Sequence, residues 1–156
     1  MRGRSLGMMR RRIQVFTLNW IILMSLGLAG CDLVQPAPER PVIAIRWADG
    51  DSGEIDGRRF RLADVDAPET GPVESEHGAR CEGERQLGVQ AKSFMQEQTR
   101  TGMLAYRELE EDRYGRMIIE LTVDGADLIR LGLDAGYLQS WPHFNGRALS
   151  SKPDWC

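Results

Sequence analysis

Apolar positions fall into five short runs, separated by turn residues, with two helical stretches between them. Val42 to Trp47 is apolar and rich in β-formers, so it predicts a first strand ended by Asp49-Gly50. Glu54-Ile55 and Arg58 to Leu62 flank Asp56-Gly57, a pairing that specifies a type I′ hairpin. Ala67-Pro68 stops the second of these strands, and Gly71 to Gly83 is polar and reads as an irregular loop. From Glu84 to Gln98 the period changes: Leu87, Ala91, Phe94 and Met95 fall on one helical face. Gly88 interrupts that pattern, where glycine costs a helix about 1 kcal/mol relative to alanine. Thr101-Gly102 ends the helix. Met103 to Leu109 and Met117 to Val123 predict two more strands, joined by Asp112 to Arg116. After the Asp124-Gly125 turn, Asp127 to Ala135 carries Leu128, Leu131 and Leu133 in a helical setting, with Gly136 as its cap. Trp141 to Cys156 has no clear periodicity.

These elements predict a β-rich α+β domain from residue 42 to residue 156, of a size for one core. The residues before it have a different character. Arg2, Arg4, Arg10, Arg11 and Arg12 precede a mostly apolar stretch from Val15 to Gly30, the pattern of an export signal over residues 1–30. The apolar stretch is short for a full membrane span of about twenty residues. Leu28-Ala29-Gly30-Cys31 resembles the lipobox of bacterial lipoproteins. Cleavage before Cys31 would leave its thiol to carry a lipid. Residues 31–41, with Pro36, Pro38 and Pro41, then read as an extended linker. The expected location is the cell envelope, lipid-anchored on the periplasmic side. Asp32 resembles the signal that retains some lipoproteins at the inner membrane.

Removing the signal changes the charge. The chain has 20 basic and 23 acidic residues; losing five arginines leaves 15 against 23, a net of −8. Such a protein is not steered to a polynucleotide by its global field, so any such contact depends on a local basic site or a bound cation. Cys31 being assigned to the lipid, Cys81 and Cys156 remain as partners in an oxidising compartment. A bridge would close a loop of about 75 residues and contribute about 4 kcal/mol in the chain-entropy model. Free thiols or an intermolecular bond are the alternatives.

The chemistry concentrates in Asp49-Gly50-Asp51-Ser52 and in Arg61-Leu62-Ala63-Asp64-Val65-Asp66-Ala67-Pro68-Glu69, with Asp112-Arg113-Tyr114-Gly115-Arg116 downstream. Two carboxylates can hold a hard cation, a third can activate water, and a guanidinium can grip a phosphate with two parallel bonds. Turn-forming alone accounts well for Asp49 and Asp56, and less well for Asp51 and Asp66. On residue type alone Glu69 reads equally as a surface carboxylate after Pro68, and Arg61 and Arg116 as partners in ordinary ion pairs. His77 and His143 lack ligand spacing and are assigned no catalytic role.

In that order, the three motifs resemble the staphylococcal nuclease (thermonuclease-like) family, over about Val42 to Leu138. The resemblance implies a five-stranded OB-like barrel with two or three helices, a form that presents a groove to oligonucleotides. It implies one divalent cation, Ca²⁺, held by Asp51, Asp66 and the backbone carbonyl of Ala67, where the family usually has threonine. It implies Glu69 as general base and Arg61 and Arg116 as catalytic phosphate grips, with DNA, RNA or both as substrate. Tyr114 and Trp141 are candidate substrate contacts by stacking. The hairpin between Asp51 and Arg61 is shorter than in the best-known members. Their base-contacting tyrosine- and lysine-bearing segment has no clear counterpart; Gln139, Ser140, Trp141, Pro142 and His143 stand there. A monomer is expected. The competing expectation is a noncatalytic OB-fold binding module tethered at the membrane.

Overall fold

The computed structural model describes residues 37–156. The expected signal peptide, Cys31 and most of the expected linker lie outside the described residues. The sheet is built from β1 (Arg40–Pro41), β2 (Ile45–Trp47), β3 (Ser52–Ile55), β4 (Arg58–Leu62), β6 (Leu104–Glu111) and β7 (Met117–Val123). β5 (Val65–Asp66) follows β4 and pairs separately with β9 (Gln139–Ser140). β8 (Ala126–Asp127) adds to β7, and β10 (His143–Phe144) forms a small hairpin with β11 (Arg147–Ala148).

The strand order in the main sheet is β1-β6-β7-β4-β3-β2, antiparallel except for the parallel contact of β4 with β7. The two ends of that order are consecutive in the chain. Arg40–Pro41 pairs with β6, Val42 N–H donates to the Leu104 carbonyl (3.0 Å), and Ile45–Trp47 pairs with β3. One segment therefore joins both edges and curls the sheet on itself, which leaves few unpaired edge groups. This is the OB-like, β-rich α+β fold, with two helices. The last two residues of the stretch read as linker thus enter the sheet; proline is tolerated there because β1 is an edge.

Alternation along the strands sorts the faces. Ile55, Phe60, Leu62, Met117, Ile119, Leu121 and Val123 point inward and are buried. Ser52, Glu54, Arg59 and Arg61 alternate outward, so one face of β3 and β4 carries the chemistry. Asp56 (φ 50°) and Gly57 (φ 83°) make the tight turn between these strands. The Asp56 carboxylate also accepts from Ala44 N–H (2.8 Å) and so fastens the chain before β2.

Helix α1 (Glu82–Gln98) begins two residues before the expected Glu84. Cys81 is its N-cap: its sulfur accepts from Glu84 N–H (3.4 Å), and the Glu84 carboxylate reaches back to Arg80 N–H (2.6 Å). This resembles a capping box with a disulfide sulfur in the serine position, except that the returning carboxylate takes the N–H one residue before the cap. The buried stripe of α1 is Glu84, Gly88, Ala91 and Met95, so Leu87 lies beside the core rather than in it. Asp127, expected inside this helix, is the N-cap of α2 (Leu128–Asp134), accepting from Ile129 N–H (2.9 Å). Cys81 and Cys156 form a disulfide with Cα atoms 6.1 Å apart, which pins the C-terminus to the start of α1. Among the described residues no helix is long and apolar enough to cross a membrane.

Candidate active site

Asp51 lies in the turn into β3, and Asp49 shapes that turn. One Asp49 oxygen accepts from Asp51 N–H (3.0 Å) and Ser52 N–H (2.7 Å). Asp49 is therefore a turn residue, which frees Asp51 to point elsewhere. Arg61 leaves the outward face of β4 directly across from Ser52. Its guanidinium meets Asp51 as a fork, with Nη2 2.8 Å from Oδ2 and Nη1 3.3 Å from Oδ1. The same Nη2 lies 3.4 Å from Asp66 Oδ1 and donates to the Val65 carbonyl (3.0 Å). Asp51 and Asp66 thus face a common point. Ala67 is buried beside them and its N–H donates to Asp51 Oδ2 (3.2 Å).

Both carboxylates are buried, at 3% and 1% exposure for Asp51 and Asp66. Burial pushes the Asp51 carboxyl well above its ordinary range; Arg61 opposes this, while Asp49 and Asp66 add to it. Such a position calls for more positive charge than one guanidinium supplies, which fits a hard cation. Among the described residues no group of three or more His, Cys, Asp and Glu side chains forms a metal cage. The residues fit an open site, in which two carboxylates share a cation with backbone oxygen, water and substrate.

Glu69 follows on the loop after β5. Its backbone lies against α1 at Gly88, where a β-carbon would stand 2.4 Å from the Glu69 carbonyl oxygen and 2.7 Å from that of Pro68. The glycine that weakens the helix pattern is therefore what lets this loop approach. Glu69 Oε1 lies 2.8 Å from Lys152 Nζ, and that ammonium is also 3.5 Å from Asp66 Oδ1. Desolvation pulls the Lys152 ammonium down, but Glu69 and Asp66 outweigh it and leave it above its ordinary value.

Arg116 does not join the Asp51–Arg61–Asp66 cluster through any hydrogen bond. It stands just before β7, two residues ahead of Ile118, which pairs with Arg61. Its guanidinium is held by Asp112, with Nη2–Oδ2 at 2.7 Å and Nε–Oδ2 at 2.8 Å. Asp112 also accepts from Tyr114 N–H (2.8 Å) and Arg116 N–H (3.0 Å). Burial would raise the Asp112 carboxyl, but these bonds hold it below its ordinary value. Arg116 lines an open hollow of about 400 Å³ with Arg46, Arg59 and Ser52. Tyr114 is exposed, with Arg113 and Arg116 over its ring at 4.8 Å and 5.5 Å. Trp141 lies 5.7 Å beneath Arg61, and its indole N–H is taken by the Ser150 carbonyl (3.1 Å).

The sequence model of the family described as staphylococcal nuclease homologue matches residues 59–145. The chain belongs to this family. The match covers Arg61, Asp66, Ala67, Glu69, Tyr114, Arg116 and Trp141; Asp51 and the C-terminal residues lie outside it. No individual curated protein matches the chain. In this member of the staphylococcal nuclease family, two residues at the site were not singled out from sequence. Lys152 contacts Glu69, and Trp155 Nε1 donates to Asp66 Oδ2 (2.9 Å). Both lie in a stretch without periodicity. The only signal toward them is Cys156, whose pairing with Cys81 draws the tail to α1.

Proposed function

We propose that the chain is an exported, lipid-anchored nuclease that hydrolyses phosphodiester bonds of DNA, RNA or both with one divalent cation, Ca²⁺. The observation that carries this reading is the convergence of buried Asp51 and Asp66 on one guanidinium nitrogen, Arg61 Nη2, at 2.8 Å and 3.4 Å. Asp51, Asp66 and the Ala67 carbonyl would hold the cation, which when bound supplies Lewis-acid stabilisation of charge on a phosphoryl oxygen. Glu69 takes the proton from the attacking water. Arg61 and Arg116 donate to the equatorial oxygens as charge builds in the transition state. Each guanidinium is pre-oriented by a carboxylate, Asp51 for Arg61 and Asp112 for Arg116, so little order is lost when phosphate arrives. Tyr114 and Trp141 offer ring faces for bases on either side.

The net acidity of the mature chain makes the local arginines decisive. Arg46, Arg59 and Arg116 line one hollow against a single carboxylate, Glu54, which pairs with Arg46, so the hollow stays positive where the global field does not. Export and anchoring rest on residues 1–32 of the sequence.

The test is incubation of the full chain with heat-denatured DNA, in Ca²⁺ and in chelator. Degradation in Ca²⁺ alone is expected, and Glu69→Gln should slow turnover by about 10²–10⁴-fold while melting like the parent. DNA binding without cutting in Ca²⁺ sinks the nuclease and supports the tethered binding module. A Glu69→Gln enzyme as fast as the parent sinks the base assignment.

A further inference from the structure

Residues 151–156 form neither strand nor helix, yet they are fastened at several points. Cys156 is bonded to Cys81. Arg80 Nη2 lies 2.9 Å from Asp154 Oδ1 and donates to the Pro153 carbonyl (3.3 Å). Just upstream, the Ser150 carbonyl accepts from the Trp141 indole. Between these ties two side chains reach the carboxylates: Lys152 toward Glu69 and Asp66, Trp155 toward Asp66.

We propose that this tail is a wall of the active site, in which Trp155 orients Asp66 and Lys152 orients Glu69. The inference rests on the nuclease reading, since it assigns positioning roles around that reading's ligand and base.

The two contacts differ in kind. The Asp66 carboxylate turns about a single bond, and its function as a ligand needs one oxygen aimed at the point shared with Asp51. A neutral indole N–H on Oδ2 fixes that rotation without itself adding a charge, and leaves Oδ1 facing Arg61 and, at 3.5 Å, the Lys152 ammonium. Glu69 stands at the edge of the site with no other side-chain hydrogen bond among the described residues. The ammonium holds it and offsets its repulsion with Asp66. Together with His77 and Arg80, Glu69 and Lys152 line a hollow of about 280 Å³, open enough for water to reach the base.

The disulfide decides between a wall and a removable plug. A plug has to leave before substrate or cation enters. Here the residue next to Trp155 is covalently fixed to the N-cap of α1, and Asp154 is paired with Arg80.

The experiment uses the full chain, with Ca²⁺ as the probe in calorimetric titration without substrate, and single-stranded DNA for kcat and KM. Trp155→Phe should weaken Ca²⁺ binding about 10-fold. Lys152→Gln should lower kcat about 10- to 100-fold with KM nearly unchanged, and Lys152→Arg should recover most of it. Reducing the bridge with excess dithiothreitol, which closes to its cyclic disulfide as two protein thiols form, should reproduce the kcat loss in the unsubstituted chain. Faster cleavage or tighter Ca²⁺ binding by Lys152→Gln overturns the wall in favour of a plug, and parent-like behaviour of both variants also overturns it. A cutting parent with equally active variants sinks this inference alone. A parent that neither binds Ca²⁺ nor cuts sinks the nuclease reading and the wall together.

Discussion

Asp51, Arg61 and Asp66 stand in the turn just before β3, within β4 and within β5; β4 is laddered on both sides, to β3 and β7, and β5 on one, to β9. Lys152 and Trp155 stand on a segment with no ladder, fixed by one disulfide, one ion pair and a few hydrogen bonds. Both regions deliver polar groups to one shared carboxylate, Asp66, within 3.5 Å. The difference shows two routes to precision. A strand positions a side chain through many weak backbone bonds that form together as the fold forms. A tail too short to build a sheet needs a covalent tie to limit its freedom. Glu69 is where the routes meet: its backbone rests on α1 at Gly88 and its carboxylate is gripped from the tail.

The largest effect expected from breaking this comparison comes at that meeting point. In Gly88→Ala the added carbon collides with backbone oxygens of Pro68 and Glu69, atoms that cannot swing aside. The loop must move, at about 1–3 kcal/mol, partly offset by about 1 kcal/mol of helix propensity. A displacement of about 1 Å at the base lowers turnover about 10²-fold. Gly83→Ala is the control, because in the same helix its β-carbon would meet only Cys81 Sγ at 3.8 Å. Melting curves and cleavage rates of the two variants test this. If Gly88→Ala cuts like the parent, α1 does not set the position of Glu69.

A smaller effect, opposite in sign for stability and function, is expected at Asp51. This carboxylate is buried and raised well above its ordinary range by desolvation, so its ionised form destabilises the metal-free fold at neutral pH. Asp51→Asn removes the charge at nearly constant shape: its amide oxygen can keep the Arg61 Nη2 and Ala67 N–H bonds and only the longer 3.3 Å bond from Nη1 is lost, while Arg61 keeps Asp66 and the Val65 carbonyl. The metal-free variant should melt a few degrees above the parent, at about 1 kcal/mol. Ca²⁺ should raise the melting point of the parent and leave the variant unmoved. A variant that melts lower without Ca²⁺ contradicts the electrostatic reading of the buried pair.

The strand-held half was far more legible in the sequence than the tail. Alternation in Met117 to Val123 and the Asp56-Gly57 turn each express a local rule, and the sheet obeys them. Asp51, Arg61 and Asp66 could be named only through the motifs that carry the family resemblance, since the turns alone do not single them out. The start of α1 was misplaced because Cys81 acts as its cap, a role that serine or threonine usually marks. Gly88 read as a flaw because propensity sees only the helix, while its reason lies in a loop nineteen positions upstream at Glu69. Lys152 and Trp155 obey no period at all; their positions follow from a crosslink and from contacts more than eighty residues apart in sequence. Arg116, read from sequence as a phosphate grip or an ion-pair partner, is organised by its own turn, through Asp112.

That turn gives the mildest test. Asp112 accepts two backbone N–H bonds and a two-pronged contact from Arg116, and these hold its carboxyl below its ordinary value near 3.8 although burial opposes them. A carboxyl with a depressed folded value stabilises the fold above its unfolded value, and that contribution fades as pH falls through the folded one. Asp112→Asn should therefore be less stable than the parent at pH 7, by about 1–2 kcal/mol for charged hydrogen bonds. The gap should close as pH drops below 3.8. Cleavage should fall with it at neutral pH, since Arg116 loses its orienting anion, while Ca²⁺ binding at Asp51 and Asp66 should be unchanged. Denaturant unfolding of both proteins across pH 2–7 measures the gap. A constant difference over that range would mean that Asp112 acts through turn geometry alone and that Arg116 needs no charge to hold it in place.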